Sequence, residues 1–269
     1  MGSGIGTLHP VTAVSDGLRF AFGTLTALRV RVTRWDRQAA GFGMLCAPVA
    51  GAAVGGCAAA VGGALLLLGA GAPLAAVASV AVPAVMTRCL HLDGLADTAD
   101  GLGSGRPAED ALRVMKQSDI GPFGVLALVF VLLGQVAALA RLYGCGWAPG
   151  AIAVVVASVA GRAAMTLACR SGVPAARPDG LGAVVAGTLA VRTACWAAGA
   201  VVAAVAVLGA LATGPYQAVR TGLAAGAGLV ASELLLRRCR ARLGGVTGDV
   251  FGALCETAAT AALVVLVLR

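Results

Sequence analysis

Charge along this chain of 269 residues comes in short blocks, and the blocks are separated by long stretches that carry almost none. The charge-poor stretches lie near 39–70, 72–90, 122–142, 147–168, 194–213, 217–236 and 251–268. Most reach the roughly 20 apolar residues that a helix needs to cross about 30 Å of hydrocarbon. The chain therefore reads as all-α, a polytopic integral membrane helix bundle with about seven transmembrane helices, six and eight being the bounds. Composition agrees. Hydrophobic residues make up 59% and charged residues 12%, where soluble domains run near a quarter charged. The 39 glycines, many inside apolar runs, suit membrane helices whose backbones pack closely.

Basic residues set the expected orientation. With the N-terminus cytoplasmic, seventeen of the twenty fall on the inner side: Arg19, Arg29, Arg31, Arg34, Arg37, Arg88, Arg106, Arg113, Lys116, Arg162, Arg170, Arg177, Arg192, Arg237, Arg238, Arg240 and Arg242. Arg141, Arg220 and Arg269 are left outside. The twelve acids sit in or beside the same inner blocks, so polar chemistry is expected on the cytoplasmic face of a plasma membrane. Within 1–37, a cytoplasmic or interfacial segment, residues 15–35 read either as an amphipathic interfacial helix capped by Ser15 or Asp16, or as a solvated basic arm.

A net charge of +8 suggests nucleic acid at first sight, but these arginines occupy connectors between spans, so no nucleic-acid partner is expected. The eight cysteines show no CxxC spacing and read as small hydrophobes. Lipid surrounds such a chain, and its glycine-rich spans are compatible with self-association.

The most informative stretch is the acidic segment within 88–121. Asp93, Asp97 and Asp100 are spaced i, i+4, i+7. On a helix advancing about 100° per residue they fall within an arc of roughly 60°. Small or apolar neighbours (Gly94, Leu95, Ala96, Ala99) leave three like charges uncompensated unless a cation lies between them. Hard oxygen ligands without thiolate or paired imidazole point to Mg²⁺. Arg113 and Lys116 follow on a second short helix, either to hold phosphate oxygens or to act as inside-positive anchors. Near the last span, Asp249 and Glu256 share a helix face behind a glycine-rich lead-in. Asp249 reads as a further metal or phosphate ligand, as the cap of the last helix, or as both. Carboxylate-held Mg²⁺ beside cationic side chains is what phosphoryl transfer requires.

A Mg²⁺-dependent intramembrane alcohol phosphotransferase or prenyltransferase would use similar chemistry, although its motifs space the acids differently. A transporter calls for ionisable groups near mid-span and a repeated half. Glu233 is the only acid read as lying within a span, near a cytoplasmic end, and no repeat is evident.

At this level of detail the sequence resembles the cobalamin synthases, the adenosylcobinamide-GDP ribazoletransferases. The resemblance rests on HLDGLADTADGLGS at His91–Ser104, MKQSDIGPFG at Met115–Gly124 and GGVTGDVFGA at Gly244–Ala253. Weaker echoes lie in LTALRV near Leu25, APVAG at Ala47–Gly51, and GRAAM followed by RPDGLG. The chain departs from the family near Leu28-Arg29-Val30, where the usual proline is missing.

The resemblance implies one membrane-embedded catalytic domain over 1–269. It would join adenosylcobinamide-GDP to α-ribazole, or its 5′-phosphate, with release of GMP and with Mg²⁺ as cofactor. It carries metal binding onto Asp93, Asp97, Asp100 and Asp249. Asp100 is expected as general base, followed by Asp97 and then His91. Arg113, Lys116, Ser118, Asp119, Thr247 and Arg177 are the expected substrate contacts.

Overall fold

The structure is a computed structural model and describes residues 10–268. Seven helices occupy the seven apolar stretches: α2 (Arg37–Leu67), α3 (Gly71–Met86), α6 (Pro122–Tyr143), α7 (Trp147–Ala168), α9 (Val191–Thr213), α10 (Pro215–Leu243) and α11 (Gly248–Val267). Four further helices complete the order: α1 (Pro10–Leu25), α4 (Leu90–Gly103), α5 (Ala108–Val114) and α8 (Gly180–Val185). Among the described residues no strand forms, only two isolated bridges. Six helices are long and apolar enough to cross a membrane alone. The pair α3 and α4 passes the same test together but is bent by 89°.

That bend divides span from site. Arg88 and Cys89, with φ of 53° and 58°, are two successive non-glycine residues in the left-handed region, a conformation that side chains tolerate at a cost. The turn is held by the Cys89 N–H donating to the Ala84 carbonyl at 2.7 Å. Beyond it α4 runs across the end of the bundle instead of through it. The acidic segment forms two helices, α4 and α5, in line with the helical spacing of its carboxylates.

Tight connections at 67–71, 143–147, 213–215 and 243–248 fold successive spans back on one another, so their termini alternate between two ends. One end collects the start of α2, all of α4 and α5, the 169–190 connector with α8, and the 244–248 turn. α7 is the central helix, with most of its residues buried. Close packing on it explains Gly51 and Gly55 of α2, which runs unbroken past Pro48. A Cβ on Gly51 would stand 2.6 Å from the Ser158 carbonyl oxygen, and one on Gly55 would stand 2.9 Å from the Ser158 Cβ. These glycines are contact points between helices and do not break the first span.

The N-terminal segment departs from both readings of residues 15–35. α1 begins at Pro10 and ends at Leu25, so Ser15 and Asp16 lie inside the helix and cap nothing. Phe20, Ala21 and Leu25 are fully buried, with the Phe20 ring seated against Gly43 of α2. The chain then extends to Asp36, whose carboxylate caps α2 by accepting the N–H groups of Gln38 and Ala39. Packing against α2 removes this helix from the role of a free interfacial arm.

Candidate active site at the acidic end of the bundle

Two sequence motifs separated by about 150 positions meet where α4 crosses the first turn of α11. A Cβ added to Gly94 would lie 2.5 Å from the Asp249 carbonyl oxygen, and one on Gly252 would lie 2.9 Å from that of His91. Only glycine lets the two backbones approach this closely. Asp249 is thereby brought to the stripe that holds Asp93 and Asp97. Asp93 is exposed and Asp97 and Asp249 are half-buried, so the cluster lies at the surface of this end of the bundle. Burial, together with the charges of Asp249, Asp93 and Asp100, pushes the Asp97 carboxyl up to about 7, with Arg177 pulling the other way. A carboxylate in such surroundings gains from a cation.

The third connector completes the site. Residues 174–176 pair with the C-terminal turn: the Ala176 N–H donates to Val246 O at 2.9 Å, and the Val246 N–H donates to Pro174 O at 2.9 Å. That short clamp carries Arg177 to Asp249, with Nη1 3.8 Å from Oδ2, and the other guanidinium nitrogen donates to the Leu112 carbonyl. Thr247 is buried and serves twice. Its oxygen caps α11 by accepting the Val250 N–H, and its hydroxyl donates to Asp249 at 3.1 Å. The capping role considered for Asp249 therefore belongs to Thr247. Lys116 is exposed and reaches Asp179 at 3.5 Å, in the same connector as Arg177.

Several expected residues stand elsewhere. Asp100 is 7% exposed and turned toward α6, where its two oxygens accept the N–H groups of Gly121 at 2.8 Å and Gly124 at 2.9 Å. With both oxygens engaged at a helix N-terminus, Asp100, expected as metal ligand and general base, caps α6. His91 points from the opposite face of α4 into the bundle, as its position two residues from Asp93 dictates, and lies away from the carboxylate stripe. Arg113 is exposed and engaged with Glu109 at 2.7 Å and Asp110 at 3.0 Å, acids of its own helix. Ser118 and Asp119 lie exposed in the turn before α6.

Reading the sequence missed a second polar group, deep among the spans. Arg162, counted above as a basic connector residue, is 3% exposed inside α7. Its Nη2 lies 3.3 Å from His91 Nδ1. Glu256 lies one full turn and more inside α11 and accepts a hydrogen bond from Gln135 Nε2 at 2.9 Å, so Glu233 is not the only acid within a span. Glu233 instead pairs with Arg170 at 2.9 Å. The available signals were a lone Gln in the span 122–142 and the helical spacing of Asp249 and Glu256.

Fold and site together define a polytopic membrane protein that gathers carboxylates and basic side chains at one end of its helices. A family model described as cobalamin-5-phosphate synthase matches residues 17–267. The relative from Frankia casuarinae, named adenosylcobinamide-GDP ribazoletransferase, is 43% identical over 92% of this chain and 93% of its own length. The protein of the same name from a Nocardioides species is also 43% identical, over 92% and 96%. Its namesake from Shigella flexneri is 39% identical over 69% and 72%. No solved structure matches. The chain belongs to the cobalamin-5-phosphate synthase family.

Proposed function

We infer that this protein transfers the adenosylcobinamide phosphate group of adenosylcobinamide-GDP to α-ribazole or its 5′-phosphate, with release of GMP. The observation that carries the reading is the meeting of Asp93 and Asp97 with Asp249 across two distant family motifs, in a chain that matches named ribazoletransferases over nearly its whole length. An alcohol phosphotransferase of another kind, or a prenyltransferase, is not favoured by that match.

In the proposed reaction the ribose 3′-hydroxyl of α-ribazole attacks the phosphorus that bears cobinamide. The new bond joins that oxygen to phosphorus. The bond broken links this phosphorus to the bridging oxygen, which leaves with GMP. Asp97, central in the stripe and not tied to backbone, is positioned to take the hydroxyl proton. Arg177 and Lys116 face the cluster from the neighbouring connector and the turn after α5, where they would bind the phosphates of the nucleotide. The all-oxygen donor set and the unfavourable crowding of Asp97 fit Mg²⁺, held by Asp93, Asp97 and Asp249. When bound it would neutralise charge developing on the departing phosphate. The corrinoid, too bulky for the bundle interior, would remain on the open side of α4.

The distribution of basic residues supports placing the acidic end in the cytoplasm, with the spans in the bacterial inner membrane. A tag in the 104–107 turn that reacts from the periplasmic side would overturn that placement. The decisive assay mixes purified protein with adenosylcobinamide-GDP, α-ribazole and Mg²⁺ and follows GMP and cobalamin. The expected result is equimolar formation of both, abolished by EDTA. Absence of product sinks the reaction, and product insensitive to EDTA sinks the metal.

A further inference from the structure

We propose that Arg162 is a positioning residue for the acidic cluster: through His91 it fixes the start of α4, so that Asp93 and Asp97 stand against Asp249. The proposal rests on the reading of that cluster as a cation site.

Arg162 is buried within a membrane-spanning helix, and among the described residues no carboxylate oxygen lies within 4.0 Å of it. Burying a guanidinium there is costly even with the Glu256 carboxylate lining the same cavity, and such residues in membrane helices mark functional positions. Its observed side-chain partner is His91 Nδ1, at 3.3 Å. A guanidinium has only donors, so Nδ1 must be the acceptor, and the ring is the neutral tautomer with its hydrogen on Nε2.

The other ring nitrogen, Nε2, is buried and has no hydrogen-bond partner in the described structure. The contact with Arg162 is therefore the polar interaction that orients the ring.

What the orientation accomplishes follows from the way α4 is seated. Its crossing of α11 is made through Gly94 and Gly252, which allow close approach but carry no side chain to stop sliding. α7 is packed as tightly on α11, since a Cβ on Gly161 would meet Cys255 at 2.8 Å. Arg162 is the next residue, and its contact with His91 ties α4 to that fixed pair. Asp93 and Asp97 follow His91 by about 3 and 9 Å along the helix axis at 1.5 Å per residue. Any displacement at His91 is thus passed directly to the carboxylates. Partners behind the ligands of a metal commonly govern affinity by about 10- to 100-fold.

The test is Mn²⁺ binding to the purified full-length protein in nanodiscs, followed by electron paramagnetic resonance without substrates. His91→Leu removes the acceptor, whereas His91→Gln retains one in its amide oxygen. His91→Leu and Arg162→Gln should each weaken Mn²⁺ binding by about 10-fold. His91→Gln should stay within about threefold of the parent, and the double variant His91→Leu/Arg162→Gln should be no worse than the weaker single one. Unchanged affinity in a folded His91→Leu protein, or losses that simply add in the double variant, overturns the proposal alone. A parent protein that binds no Mn²⁺ overturns the cation-site reading and this inference with it.

Discussion

The two ends of the helix bundle are built on different terms. At the end holding α4, two of the connectors are long, the carboxylates of distant motifs meet, and glycines bring backbones into contact at Gly94, Gly182 and Gly252. At the opposite end the connectors are tight and no acid is present. There Arg220 donates to the carbonyls of Leu266 and Leu268, closing the C-terminus of α11, and Arg141 interacts with Cys145 one turn on. Arginine at that end answers a helix's own unsatisfied carbonyls and its negative pole. At the other end the like charges of Asp93, Asp97 and Asp249 are brought together, with Arg177 and Lys116 as partial compensation. Charge assembled against its own stability is the mark of a site, and charge that completes a helix is the mark of a scaffold.

Substitutions at the two ends should therefore differ in kind. The largest effect is expected for Asp97→Asn and Asp249→Asn, each lowering turnover by about 10²- to 10³-fold, as loss of one electrostatic contact to a reacting phosphate does, with membrane insertion intact. Retention of full activity by either variant in the GMP-release assay would remove that residue from the site. Gly94→Ala comes next. Its methyl group meets the Asp249 backbone, so overpacking of about 1–3 kcal/mol should push α4 away and lower activity about 10-fold. Turnover equal to the parent's would show that the crossing tolerates a wider gap.

Asp100→Ala should act on the scaffold. Loss of the α6 cap is expected to cost about 1–2 kcal/mol, read as a lower unfolding temperature in detergent, while Mn²⁺ affinity stays within about twofold. Loss of Mn²⁺ binding at unchanged stability would return Asp100 to the metal. The smallest effect belongs to the far end. Arg220→Gln should cost about 0.5–1 kcal/mol in the same melt and leave turnover within about twofold, because it touches only the end of α11. A large activity loss there would break the division between the two ends.

Much of this could be read along the chain because a membrane imposes a local rule. A span must be long, apolar and helical, so the seven stretches coincide with helices to within a few residues at most of their ends. The carboxylate stripe was legible for a similar reason, since helical geometry relates Asp93 to Asp97 without reference to anything else. It also placed Asp100 on the same face, but that face turns from solvent toward α6 as α4 passes it, and proximity to Gly121 and Gly124 then decides its task. Arg162 illustrates the same limit. A charge near the end of an apolar stretch reads as a topology signal, and only packing shows that its side chain is buried against His91.

The sequence by itself determined the apolar helices, the segregation of charge and the family to which the chain belongs, because each follows from local hydropathy or contiguous motifs. Tertiary structure alone decided which carboxylates share a site and which caps a helix, how Arg177 reaches Asp249, and that an arginine inside the bundle holds the root of α4. Those relations join residues far apart in sequence, and they exist only where the glycines of α4 and α11 let two backbones touch.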